Sequence, residues 1–250
     1  MLYEYPFNEQ VRTCLRLEHL FRRLGKLVAR DDAIDHHYAL ATMFEAIDVA
    51  ARSDLKSELL KDLERHKQLY QSYRGNPAIA EAVLDRITGQ LDACYQALQA
   101  QPGKPGQSIA DHDWLNSVRS RFAIPGGTCE FDVPAYHAWQ HRDAESRRRD
   151  LTHWAATLGP LAESVFALLK LMRDNGAPQK VLAAGGRFQQ SLPQARTFQL
   201  ARLRIDAALG LVPEISGNRM MITVRLMRPD EHGKLQQDSA DTPFELALCA

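Results

Sequence analysis

Met220-Met221-Ile222-Thr223-Val224-Arg225-Leu226-Met227 decides the fold class. Met220, Ile222, Val224 and Leu226 alternate with Met221, Thr223 and Arg225, a period of two. Successive side chains of a strand point to opposite faces, so this stretch reads as a strand with one apolar and one polar side. Upstream, Ala201, Leu203 and Ile205 alternate in the same way with Arg202 and Arg204. Downstream, residues 244–248 read as a closing strand. Between them, Leu211-Val212-Pro213 and Ser216-Gly217-Asn218 are turn-rich. The pattern predicts an antiparallel sheet from about Lys180 onward, with an apolar face on the helices and an arginine-bearing face toward solvent. At the other end of the chain, residues 2–5 alternate and stop at Pro6. This stretch is expected to be an edge strand that joins the sheet, because its backbone groups need partners.

Before Lys180 the period is helical. Asn8 is placed to N-cap a helix, with Glu9 favourable in its first turn. Val11, Cys14, Leu17, Phe21, Leu24 and Val28 form its buried stripe. Arg12, Arg16, His19, Arg23, Lys26 and Arg30 form a cationic ridge elsewhere on the cylinder. Such stripes are most often solvated faces, which is the first reading here; the absence of an interleaving acid strengthens the second, a binding ridge. A second helix is expected over 35–52. Ser53 is placed to cap a third, which Gly75 ends in a left-handed conformation. Asn76-Pro77 reads as the N-cap and first residue of a fourth helix, antiparallel to the third. Residues 101–108 read as a linker, with Ser108 capping the next helix. Ile124-Pro125-Gly126-Gly127 is a sharp turn, residues 131–134 are extended, and Pro134 opens the helix of Tyr136, His137, Trp139 and His141. A long apolar helix from Ala144 should be interrupted at Pro160 and end at Asn175-Gly176.

These readings predict an α+β fold: a helical domain over 1–179, with residues 1–6 available as a strand of the sheet, and an antiparallel β domain over 180–250. The 250 residues are 45% hydrophobic and 25% charged, ordinary globular usage that excludes disorder. Lysine plus arginine equal aspartate plus glutamate at 31 each, which excludes a generally basic coat but not a local patch. Residues 180–228 hold eight basic residues against two acidic ones, a net +6, and the tail from Pro229 holds five acids against Lys234, a net −4. The N-terminus shows no signal peptide and no stretch reads as a membrane span. Cys14, Cys94, Cys129 and Cys249 are scattered, which fits a reducing cytoplasm and not a disulfide framework.

Candidate chemistry is sparse. His137 and His141 have the i, i+4 spacing of zinc ligands, but no Glu follows His137 and nothing demands a third ligand. Asp31, Asp32, Asp35, His36 and His37 cluster at a helix start, where N-capping explains the carboxylates. No phosphate-cradling glycine loop and no nucleophile motif occurs, so no catalytic residue, metal site or cofactor is expected. The arginine-bearing sheet face lacks the aromatics that a base-stacking nucleic-acid surface would need. An acidic, carboxylate-bearing peptide fits it better, because guanidinium groups pair carboxylates in two-pronged geometry.

Several stretches, in order, carry a family resemblance. They are Tyr5-Pro6-Phe7-Asn8-Glu9 running into Arg12-Thr13-Cys14-Leu15-Arg16-Leu17-Glu18, then Ser57-Glu58-Leu59-Leu60-Lys61-Asp62-Leu63. Val118-Arg119-Ser120-Arg121 follows, through Ile124-Pro125-Gly126-Gly127 to Phe131-Asp132-Val133-Pro134 and His137-Ala138-Trp139. Pro213-Glu214-Ile215-Ser216-Gly217, Val224-Arg225-Leu226-Met227 and Phe244-Glu245-Leu246 complete the set. In these the chain resembles the ZapD family, bacterial cell-division factors that bind the tubulin-like protein FtsZ. The resemblance implies a cytoplasmic, non-enzymatic homodimer at the mid-cell division site, binding the C-terminal tail of FtsZ and bundling its filaments during septum formation. It implies no membrane partner. By matching motif positions it places binding on Arg16, Arg52, His137 and Arg225. The charge reading adds Arg119, Arg121, His141 and Arg219. The family pattern carries a further basic residue four before Arg225, where this chain has Met221; Arg219 stands nearby as a substitute. A nucleic-acid-binding protein using the basic helix and sheet faces is the alternative reading.

Overall fold

The computed structural model describes residues 1–51 and 54–250. Strand β1 (Leu2–Pro6) leads into helix α1 (Glu9–Val28), then α2 (Ala33–Ala50), α3 (Leu55–Gln71) and α4 (Glu81–Ala100). Short α5 (Gln107–Ala110), α6 (Asp113–Phe122) and α7 (Pro134–Gln140) follow, then α8 (Ala144–Ala156) and α9 (Gly159–Asp174). The chain then turns to strands: β2 (Pro178–Ala183), β3 (Arg187–Ser191), β4 (Leu200–Arg204), β5 (Val212–Gly217), β6 (Met221–Pro229), β7 (Leu235–Gln237) and β8 (Thr242–Cys249). The fold is α+β, helices first and antiparallel strands after. Two compact units divide the chain: residues 1–12 with 169–250, and residues 13–168.

In the strand unit, period two does what was expected of β6. Ile222, Val224 and Leu226 are buried, and Arg225 is exposed. Met220 falls outside the strand and is exposed. The single expected sheet is in fact two. One runs β1-β4-β8-β2; the other runs β3-β6-β5, with β7 also paired to β6. Ala201, Leu203, Phe244 and Leu246 of the first sheet share one core with Ile222, Val224 and Leu226 of the second. The apolar faces of the two sheets therefore cover each other, sheet on sheet. The arginine-bearing face is split as a result. Arg202 and Arg204 lie on the outer side of β4, and Arg225 lies on the outer side of β6 in the other sheet. The turn-rich segments around Pro213 and Ser216 are one strand, β5. β5 is an edge of its sheet, and a proline is tolerated at an edge because its missing N–H leaves no ladder bond broken.

β1 is the edge strand foreseen, paired antiparallel to β4 with Glu4 opposite Arg202. Arg173 donates to both oxygens of Glu4, at 2.8 and 2.7 Å, and Arg202 Nε donates to Oε1 at 3.0 Å. The positive charge of Arg202 is thus used internally. Gly186, at φ +71°, makes the turn after β2, where a Cβ would lie 1.9 Å from the carbonyl oxygen of Asp238. Only glycine fits that turn.

In the helical unit, α2 is buried on nearly every side, with His36, Leu40, Met43, Phe44 and Ile47 all inward. Asp32 N-caps it by accepting from Ile34 N at 2.7 Å. α3 and α4 pack as the expected hairpin through Leu59, Leu63, Leu84 and Leu91. Gly75 is left-handed at φ +79°. Asn76-Pro77 does not begin α4, which starts at Glu81. Asn76 Oδ1 instead accepts from Ala78 N, closing a local turn, and the Glu81 carboxylate accepts from Gly75 N. Ser53 lies outside the described residues. Ser108 does not cap a long helix, because the segment breaks at Asp111. His112 caps α6 instead, accepting from Leu115 N at 3.4 Å. Phe131 and Asp132 sit in a turn closed by Asp132 N donating to Cys129 O, not in an extended segment. Pro134 does open α7. Pro160 does interrupt the long apolar stretch: α8 and α9 meet at 65°. Among the described residues no single helix is long and apolar enough to cross a membrane, although this bent pair passes on length and composition alone.

Candidate functional site

The helical unit presents its cations from α1, α6 and α7. Asn8 caps α1 as read, accepting from Val11 N at 2.8 Å. Arg16 is exposed on this helix. The ridge around it is less bare than the spacing implied, because acids reach it from outside its own stripe. Glu9 pairs Arg12 at 3.2 Å, Glu45 of α2 pairs Arg23 at 2.7 Å, and Asp35 pairs Arg30 at 3.1 Å.

α6 and α7 are held against α2 by aromatic rings. His37 stacks on Phe122 with centroids 4.5 Å apart, and its Nδ1 is hydrogen-bonded to the Tyr136 hydroxyl at 2.7 Å. Tyr136 stacks on Trp139, and Trp114 stacks on Trp154. Burial lowers the pKa of His37 and raises that of Tyr136, so both stay neutral in this layer. With Phe122, Tyr136 and Trp139 turned inward, the helices present Arg119, Arg121, His137 and His141 outward. Arg119 is half-buried and pairs with Asp48 of α2; Arg121, His137 and His141 are exposed.

The two histidines stand with centroids 4.3 Å apart, and His141 Nδ1 lies 2.9 Å from the carbonyl oxygen of His137. Among the described residues no group of three metal-ligating side chains converges anywhere. Arg52 lies outside the described residues.

Behind α7 the structure holds a network that spacing did not reveal. Arg147 of α8 is only 6% exposed. Its Nε donates to His36 Nδ1 at 3.0 Å, its Nη1 to the carbonyls of Gln140 and Arg142, and its Nη2 to Asp31 O at 2.6 Å. His36 Nε2 faces Arg30 O at 2.7 Å. Since arginine only donates, Nδ1 of His36 must accept and Nε2 must carry the proton. Burial first, and Arg147 and Arg148 after it, lower the pKa of His36, which agrees with a neutral ring. One guanidinium thereby ties the α1–α2 turn to the end of α7.

The strand unit presents Arg219 and Arg225, both exposed. Arg225 is clamped by Glu214 of β5 at 2.6 Å. Directly across β3 from it stands Arg187, also exposed. Like charges opposite each other repel, so this face is poised to gain from an added anion. Arg187 and Glu214 were not among the sequence candidates, because only strand register brings them to Arg225. Neighbours on the same outer face are Gln189, Ser191, Met221 and Thr223, with no aromatic among them. That composition suits carboxylate pairing and not base stacking. Burial pushes the Cys14 thiol up to about 12 and raises those of Cys94 and Cys249, which keeps these three protonated.

The chain matches the ZapD family profile, described as "Cell division protein", over residues 15–225. It is 49% identical to the cell division protein ZapD of Ralstonia pickettii (strain 12J) over 250 residues, all of this chain and 99% of that protein. It is 48% identical to the protein of the same name from Ralstonia nicotianae and 46% to that of Janthinobacterium sp. (strain Marseille), with the same coverage.

Proposed function

The chain belongs to the ZapD family of cell division proteins, and from that premise we propose that it binds the C-terminal tail of FtsZ. As a homodimer it would cross-link FtsZ filaments at the mid-cell division ring, in the cytoplasm and without chemistry of its own. One observation carries the reading. The family likeness runs through the whole chain, and the motif cations within it, Arg16, His137 and Arg225, all stand exposed. A flexible tail loses conformational freedom on binding, so charge-assisted contacts must offset that loss. Each contributes about 1.5–3 kcal/mol when desolvated and less when exposed. Two tail sites in a dimer would tether two filaments through effective concentration rather than through new contacts.

The nucleic-acid alternative is disfavoured by the outer face around Arg225, where Gln189, Ser191 and Thr223 offer no stacking platform. Co-sedimentation tests the proposal. FtsZ assembled with nucleotide should pellet as bundles with this protein, and FtsZ lacking its C-terminal tail should not. Equal bundling of the two forms, or binding of single-stranded DNA in preference to FtsZ, would count against it.

A further inference from the structure

We infer that residues 192–198 and 218–220, at one end of the β-sandwich, form a pocket that reads a carboxylate next to an apolar side chain in an acidic peptide. Arg196 and Arg219 would hold the carboxylate, and Leu192, Phe198 and Met220 would receive the apolar group. The inference rests on the reading above only in taking the FtsZ tail as the physiological occupant.

These five residues line a cavity of about 310 Å³, at the small end of the range for ligand sites. Its charge is available. Arg202, Arg204, Arg225 and Arg228 of the same unit each have a carboxylate partner. Among the described residues Arg196 and Arg219 have none. The Arg196 guanidinium lies over the Phe198 ring at 5.3 Å, which orients its fork while leaving its N–H groups open. Met220 stands 62% exposed at the cavity, an adaptable apolar side chain where a turn would ordinarily be polar.

Both walls are built in advance. Asn218 Oδ1 accepts from Met220 N at 2.8 Å and Met221 N at 3.1 Å, holding the turn that carries Arg219. Leu192 N donates to Met220 O at 2.7 Å, tying the opposite wall to that turn. A preformed pocket spends less ordering freedom on a flexible peptide. A second cavity of about 220 Å³ shares Arg196 and Phe198 with Pro193 and Leu248, so this pair is a wall common to two depressions. From Met221 to Arg225 is four strand residues, roughly 13 Å at about 3.3 Å each. An extended acidic segment of about six residues therefore reaches from the pocket to the Arg187–Arg225 pair. Met221 lies between them.

The test uses the full-length protein, with circular dichroism to check folding, and fluorescence anisotropy with two labelled probes. One is the FtsZ C-terminal tail peptide. The other is a synthetic hexapeptide of aspartates around one leucine, with an asparagine version as control and both free and amidated C-termini. Phe198→Ala and Arg196→Gln are each expected to weaken binding about five- to tenfold. Arg196→Gln should also flatten the salt dependence, while Phe198→Ala should leave it unchanged and lose its effect when the peptide leucine is alanine. If Phe198→Ala disturbs folding, Met220→Ala in the exposed turn replaces it. Tail binding by wild type with unchanged affinity in these variants would overturn the pocket and leave the proposed function standing. Hexapeptide binding that depends on Arg196, without tail binding, would support the pocket and overturn the proposed function. Failure of both probes overturns both.

Discussion

Arg225 is a charge with an internal competitor. Glu214 holds it at 2.6 Å on an exposed face, and a bound carboxylate must take that place or share it. Exposed ion pairs are individually weak, so the exchange is feasible at little penalty. Glu214→Gln should therefore strengthen tail binding a few-fold, whereas Arg225→Glu should abolish most of it by placing like charges together. Anisotropy with the tail peptide checks both; weaker binding by Glu214→Gln would mean that Glu214 positions Arg225 instead of competing for it. His36, His37 and His66 make a second prediction. Burial lowers all three below their ordinary 6.5. The folded protein keeps them neutral, and the unfolded chain takes up protons first as the pH falls. Stability is then fully present above about pH 7 and is lost as the pH drops below 6.5 toward the folded-state values. His36 is the sharpest case, because a proton on Nδ1 would face the N–H of Arg147. Urea denaturation between pH 8 and pH 5 should show the midpoint falling through that window, and a flat profile would contradict it.

Among the elements, the α6–α7 connection bears most directly on the candidate surface, since Arg119 and Arg121 precede it and His137 and His141 follow it. Its turn depends on Gly127. A Cβ there would lie 2.7 Å from both Arg121 O and Ile124 Cβ, and neither can swing away as a flexible side-chain tip could. Gly127→Ala should cost about 1–3 kcal/mol, the range for an overpacked site, and should lower tail affinity by displacing α6 against α7. Thermal unfolding and anisotropy read the two effects; an unchanged melting temperature would show that the turn relaxes freely. The turn was legible because Pro125, Gly126 and Gly127 are punctuating residues. Its far side was not, since the bond from Asp132 N to Cys129 O closes a further turn where extended chain was expected.

For the whole molecule, the proposed bundling needs two tail sites in one particle. Light scattering at micromolar concentration should give twice the 28.2 kDa chain mass, and a monomer would remove the cross-linking argument. Bundling should weaken steeply with salt. Surface charges are screened beyond about 10 Å at 0.1 M salt, and avidity multiplies a loss at each of two sites. Turbidity of FtsZ with this protein across 50–300 mM salt checks this; an insensitive signal would point to apolar contacts alone.

The sequence by itself determined what neighbours within a few residues decide. Period two marked β4 and β6, Asn8 and Asp32 capped their helices, Gly75 took the left-handed turn, Pro134 opened α7 and Pro160 separated α8 from α9. Each of these outcomes depends on local sterics or a hydrogen bond to a nearby amide. Local chemistry also misled where two local solutions compete: Asn76 closed a turn instead of starting α4. Only the tertiary structure decided that the strands form two sheets sharing one core, which sent Arg202 to Glu4 and left Arg225 on a different sheet. It alone set Arg187 and Glu214 beside Arg225, joined Arg147 to His36 across 111 positions, and gathered Arg196, Phe198 and Arg219 around one cavity. Strand register and buried contacts are chosen by burying apolar surface across the whole unit, and no short window of sequence holds both partners of such a choice.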